Sequence, residues 1–143
     1  MKHEISVLVI SPNKSLFRSV SQAVASIGSN IKVHHTSNVR EAILLLNQIG
    51  IKPDTLQIYL DSTCSSVEAN KFVRLLDQDF RRSSRNSVVL IDDASSVSGI
   101  VRLAMARCVW DVLNLPVLPI EVETAIRKRF RQNHSAAQSN SVV

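Results

Sequence analysis

The feature that most constrains this chain is a fivefold alternation. Short apolar runs recur, and each is followed by a longer segment whose apolar residues return every three or four positions. The runs are Glu4–Ile10, Ile31–Ser37, Thr55–Leu60, Ser87–Ile91 and Trp110–Leu115. Val7–Ile10 is apolar without a break, as expected of a strand covered on both faces. After the first run, Leu16, Phe17, Val20, Ala23, Val24 and Ile27 make a helical stripe that Gly28 ends. Asn38 reads as an N-cap, supported by Glu41 three residues later, and that helix runs to Gly50. Phe72, Val73, Leu75 and Leu76 mark a third helix. Residues 94–108 make a short fourth, weakened by Gly99. Pro119 suits the first turn of a fifth. The alternation predicts an α/β fold: a single (βα)5 three-layer sandwich around a five-stranded parallel sheet. Its crossovers should be right-handed.

Sheets of this kind place their functional crevice at the carboxyl ends of the strands. That edge collects Ser11–Asn13, Asp61, Asp92–Asp93 and Asn114–Pro116. The first strand opens onto its helix through "SPNK", which has neither the glycines nor the spacing of a phosphate-binding loop. Ser62, Ser65 and Ser66 lack a His–acid relay. Cys64 and Cys108 make no disulfide framework and read as thiols in a reducing cytoplasm. The four histidines show no metal spacing; His34 and His35 are adjacent, so in a strand they face opposite ways. Asp61, Asp92 and Asp93 lack a fixed ligand spacing. The simpler reading ends the third strand in solvent at Asp61 and uses Asp92 or Asp93 to cap the helix that follows. No catalytic residue, metal or cofactor is assigned, and the chain is not read as an enzyme.

The order and spacing of these elements, from about Glu4 to Phe130, resemble a response-regulator receiver domain. The resemblance implies the flavodoxin-like strand order 2-1-3-4-5. It also implies an acidic pair after the first strand that holds Mg²⁺, and an aspartate after the third that accepts a phosphoryl group. A Thr or Ser follows the fourth strand and a Lys-Pro pair the fifth, with a switch aromatic three residues before the lysine. In this chain Ser11 and Pro12 stand at the acidic pair, and Asp61 falls at the acceptor. Ala69 occupies the following glycine position, and Asp92 lies at or beside the Thr/Ser position. Leu115 replaces the lysine, Pro116 is retained, and Val112 replaces the aromatic. Counting instead from Pro53–Asp54 would put Tyr59 at the acceptor. The resemblance is thus to a degenerate, pseudo-receiver member. Phosphoryl transfer onto an aspartate needs a metal and a cation to offset the developing charge. Ser11, Pro12 and Leu115 supply neither.

What remains is a binding scaffold for signal transduction or transcription regulation. Receiver-like domains present the fourth helix, fifth strand and fifth helix to partners or to a second copy, which here spans Ser96–Phe130. Trp110, Val112, Val117 and Leu118 are the apolar interface candidates, and Arg127, Lys128 and Arg131 the basic ones. The expected partner is a signalling or regulatory protein, with a homodimer as a second possibility. Trp110 is equally readable as a core cap.

The formal charge is +5, from 17 basic and 12 acidic residues. Removing the four cations of "RKRFR", residues 127–131, leaves thirteen against twelve. Any nucleic-acid reading therefore rests on one helix end, and without aromatic platforms for bases it is disfavoured. Three functions stay open: a phosphorylation-independent receiver-like protein-interaction module, an atypical regulator still phosphorylated at Asp61, and a nucleic-acid accessory protein. Residues 1–131 are read as the domain and 132–143, "QNHSAAQSNSVV", as a disordered tail or linker. No signal peptide and no apolar run near the ~20 residues of a membrane span is visible, so a cytoplasmic setting is expected.

Overall fold

The computed structural model describes residues 5–28, 30–49, 55–61, 69–74, 88–92 and 109–142. Five strands form one sheet: β1 (Ile5–Ile10), β2 (Ile31–Thr36), β3 (Leu56–Asp61), β4 (Val88–Asp92) and β5 (Val109–Asn114). All pairings are parallel, in the order β2-β1-β3-β4-β5. The expected strand order and three-layer architecture are therefore present.

The faces follow from the period of two along each strand. Leu8, Ile10, Leu56, Ile58, Leu60, Val88 and Leu90 point to one side. There they pack with Val39 and Ala42 of helix α2 (Val39–Ile49) and with Ala69, Phe72 and Val73 of a helical segment, residues 69–74. Val7, Val9, Tyr59, Val89 and Ile91 point to the other. They meet Leu16, Val20, Ala23 and Val24 of α1 (Lys14–Ile27) and Val122 and Ile126 of the C-terminal helix (Pro119–Val142). Each fully buried Val, Leu or Ile is worth about 1.5–3 kcal/mol of transfer free energy, so the core is carried by aliphatics.

The helix ends are written locally. Asn13 caps α1, its Oδ1 accepting from the Ser15 N–H at 3.0 Å. Gly28 closes the same helix at φ 151°, a backbone that L side chains rarely adopt, and donates its N–H to Val24 O at 3.1 Å. Asn38 accepts from the Glu41 N–H at 2.9 Å, and the Glu41 carboxylate reaches back to the Ser37 N–H at 3.2 Å. Pro119 begins the last helix, and Glu121 folds back onto the Leu118 N–H at 3.1 Å.

Several expectations shift, β5 among them, which runs Val109–Asn114 rather than Trp110–Leu115. β3 ends on Asp61 rather than Leu60, because ladder pairing continues one residue further, with Asp61 opposite Ile91. β4 likewise reaches Asp92, opposite Asn114 of β5. The backbone of the C-terminal helix runs to Val142, so residues 132–142, read from composition as a tail, are helical. The expected fourth helix, residues 94–108, lies outside the described residues, as do Cys64, Cys108 and Asp93.

Candidate functional site: the carboxyl edge of the sheet

β1 and β3 are neighbours with Ile10 opposite Leu60, so the next residue of each, Ser11 and Asp61, meet at the sheet edge. The Ser11 hydroxyl donates to Asp61 Oδ2 at 2.5 Å. Ser11 is 0% exposed and Asp61 2% exposed. Asp61 is therefore not the solvent-facing strand end expected from the sequence. The extra residue of β3 pairing draws its carboxylate inward, where Ser11 supplies a donor.

Ser11 is pinned through all its polar atoms. Its N–H donates to Thr36 O at 3.0 Å, and its carbonyl accepts from His35 Nε2 at 2.9 Å. Its hydroxyl oxygen accepts from the Asn13 N–H at 3.0 Å. A carbonyl cannot donate, so the hydrogen bond itself places a proton on His35 Nε2. The imidazole stacks on Phe17, with centroids 4.9 Å apart and planes at 16°. Pro12, exposed between Ser11 and Asn13, offers neither an N–H nor a side-chain ligand.

Among the described residues, the arrangement does not supply the carboxylate pair through which the resemblance implies that Mg²⁺ is held. Mg²⁺ takes an octahedral oxygen shell fixed by carboxylates. The side chains described here supply one carboxylate and one hydroxyl, and the hydroxyl is already spent on that carboxylate. Among the described residues no group of three or more His, Cys, Asp or Glu side chains is placed to hold a metal ion. Asp92 ends β4 at the same edge, but its side chain lies outside the described residues.

Leu115, which the resemblance sets where a lysine is expected, packs its half-buried side chain against the Val7–Val9–Tyr59 cluster. With exposed Pro116 and buried Val117 it forms one wall of a cleft of about 360 Å³. Asn13, Ser15, Leu16 and Ser19 of the α1 side form the other. Val112, which the resemblance sets where a switch aromatic is expected, is half-buried against the opposite core cluster.

Tyr59, the alternative acceptor position, lies in the core. It is 0% exposed under the C-terminal helix, and its hydroxyl donates to Gln57 Oε1 at 2.7 Å, with Val122 O at 3.5 Å. Gln57 Nε2 donates to Ala125 O at 3.4 Å. Burial, reinforced by the Asp111 carboxylate, holds the Tyr59 hydroxyl protonated far above its ordinary range.

The interface candidates separate. Val117 is 6% exposed and belongs to the core, whereas Leu118 is 54% exposed. Trp110 lies in β5 and Arg131 in the C-terminal helix, with both side chains outside the described residues. Arg127 Nε pairs with Glu123 Oε1 at 3.0 Å, and Lys128 is exposed. Arg129 turns inward to 6% exposure, with its guanidinium 5.2 Å from the Phe130 ring centroid. The basic cluster is thus divided between core and surface. Sequence reasoning missed His35, Gln57 and Arg129. Arg129 was legible, being seven residues after Val122 and four after Ala125 on the inward stripe.

No protein-family model matches the chain, and no curated protein matches it. Solved structures do. The signal receiver domain of an HD domain-containing protein from Pseudomonas fluorescens Pf-5 superposes with a TM-score of 0.72 at 12% identity, over 96% of this chain and 95% of that one. A signal receiver domain from Vibrio parahaemolyticus gives 0.71 at 18% identity, over 95% and 97%. The chemotaxis response regulator CheY4 of Vibrio cholerae gives 0.67 at 14%, over 88% and 98%. The chain therefore has the receiver-domain fold, with Ser11 and Asp61 at the carboxyl edge of its sheet.

Proposed function

We propose that this chain is a receiver-like signalling module that works through protein–protein contacts without phosphorylation of Asp61, as a cytoplasmic protein. The observation that carries the reading is the Ser11–Asp61 hydrogen bond at 2.5 Å with both side chains buried. An acceptor carboxylate must meet its donor in line and lose charge to nearby cations. Here a neutral hydroxyl occupies it, a proline stands beside it, and the lysine position is a leucine packed on the core. Residues 1–131 form the module in this reading, and 132–143 an appendage.

A second reading, phosphorylation at Asp61, draws on one observation: the aspartate keeps its place at the end of β3. One experiment separates the two. The chain is treated with a small acyl-phosphate donor and Mg²⁺, beside Asp61→Asn. The proposal expects no phosphoryl label that depends on Asp61. Rapid stoichiometric labelling of the wild type, lost in Asp61→Asn, overturns it. A nucleic-acid role is less supported, because Arg129 is buried and Arg127 is paired with Glu123.

A further inference from the structure

The cleft between α1 and the Leu115–Val117 turn encloses about 360 Å³, within the size range of small-molecule sites. Two chemistries line it. Buried Leu16 and Val117, half-buried Leu115 and exposed Pro116 give aliphatic surface. Asn13, Ser15 and Ser19 give neutral polar groups. Ser15 and Ser19 are four residues apart, so they share one face of α1, and Asn13 caps the same helix. None of the described lining side chains is charged or aromatic.

The polar atoms are open to an occupant. Asn13 Oδ1 is committed to the Ser15 N–H at 3.0 Å, which leaves the side-chain NH₂ as a donor. Neither the Ser15 nor the Ser19 hydroxyl has a hydrogen-bond partner among the described residues. Ser26, farther along α1, behaves differently: its hydroxyl turns back onto Gln22 O at 3.3 Å, the local bond by which a helical serine satisfies itself. The two serines in the cleft therefore each keep a donor and an acceptor.

This lining selects by chemistry. An ion would find no counter-charge among the described lining groups, and a planar base no aromatic platform. An alkyl chain would strip water from three polar side chains without replacing their hydrogen bonds. We infer that the cleft binds an uncharged, hydroxyl-rich ring: a sugar or cyclic polyol. Its C–H face lies on Leu115 and Pro116, and its hydroxyls exchange hydrogen bonds with the Asn13 amide, Ser15 and Ser19. The Asn13 backbone N–H donates to the Ser11 hydroxyl at 3.0 Å, and that hydroxyl holds Asp61. The occupant thus abuts the residue that anchors this buried pair. The inference goes beyond the protein-interaction reading and does not depend on it.

The test titrates the full chain, isotopically labelled, with methyl glucoside and with myo-inositol, and follows amide shifts. A ring of this size at ordinary ligand efficiency should saturate with a dissociation constant of about 1–10 mM. The shifts should fall on residues 11–19 and 115–117. Cyclohexanol, which keeps a six-membered ring and only one hydroxyl, should bind at least about fivefold more weakly, because it leaves polar groups of the wall unpaired. Ser19→Ala removes one of those groups and should weaken binding about three- to tenfold. Ser15→Trp fills the cleft from an exposed position and should abolish binding, while Ser26→Ala, on the same helix outside the cleft, should leave it unchanged. Each variant is first checked for wild-type melting, and Ser19→Ala carries the test if the tryptophan variant fails to fold. No saturable binding of either polyol in that range overturns the inference. So does cyclohexanol binding as tightly as the polyols, binding unchanged in Ser19→Ala, or shifts centred elsewhere. Asp61 labelling by a phosphodonor would overturn the phosphorylation-independent reading and leave this site standing.

Discussion

Ser11, just past β1, and Asp61, the last residue of β3, lie fifty residues apart in sequence, yet their side chains form a 2.5 Å hydrogen bond that water scarcely reaches. Buried polar groups are tolerated only when satisfied, and removing a donor costs more than a hydrogen bond in water is worth. Ser11→Ala should therefore destabilise the fold by about 1–3 kcal/mol in urea titration. Asp61→Asn keeps an acceptor for the same hydroxyl, so its cost should be smaller.

A lysine introduced at position 115 alone should not bring phosphoryl-transfer chemistry. Leu115→Lys places a cation where the half-buried leucine meets the core, while Ser11 and Pro12 still offer no metal-holding carboxylates. The expected result is a lowered melting temperature and no Asp61-dependent label from an acyl-phosphate donor.

Tyr59 is the chain's single tyrosine, so its ionisation can be read directly by absorbance. Its folded-state pKa lies above the unfolded value of about 10, because burial disfavours the charged form. Below that unfolded value the stabilisation is fully present. As the pH rises past it, the unfolded chain releases a proton the folded chain retains, and stability falls by about 1.4 kcal/mol per pH unit. Tyrosinate absorbance should appear with unfolding rather than before it. Tyr59→Phe should lose this alkaline slope, while costing stability at neutral pH by stranding Gln57 Oε1.

Val117 and Leu118 are adjacent and should behave as opposites. Val117→Ala removes two buried methyls and should cost about 2 kcal/mol. Leu118→Ala removes exposed surface and should change stability by less than about 0.5 kcal/mol.

Truncation after Arg131 should leave the melting temperature within about 2 °C of the full chain, a shift that corresponds to well under 1 kcal/mol for a domain of this size. The removed segment, "QNHSAAQSNSVV", carries no apolar stripe that would dock it onto the sheet.

The sheet was legible because a strand buried on both faces leaves an unbroken apolar run, as in Val7–Ile10, and its helices leave a period of three and four. The helix starts at Asn38 and Pro119 were legible from capping chemistry. Asp61 was placed correctly at the strand end but wrongly in solvent. Its burial depends on a ladder register with β4 and on a donor from β1, and no local pattern encodes either. Val117 and Leu118 could not be separated in a turn, where apolar residues have no period to betray their direction. Gln57 hid for the opposite reason: a polar residue inside a strand reads as outward-facing unless its hydrogen-bond partners, here on a helix nearly seventy residues away, are known.

The Gln57–Tyr59 pair has a mechanical corollary. Val122 O and Ala125 O, three residues apart, share one side of the C-terminal helix, and both receive side-chain donors from β3. Turning that helix by a single residue, about 100°, would carry both acceptors off the sheet and strand two amphiphilic groups in oil. Grease alone tolerates sliding; this contact indexes the helix to one angular setting.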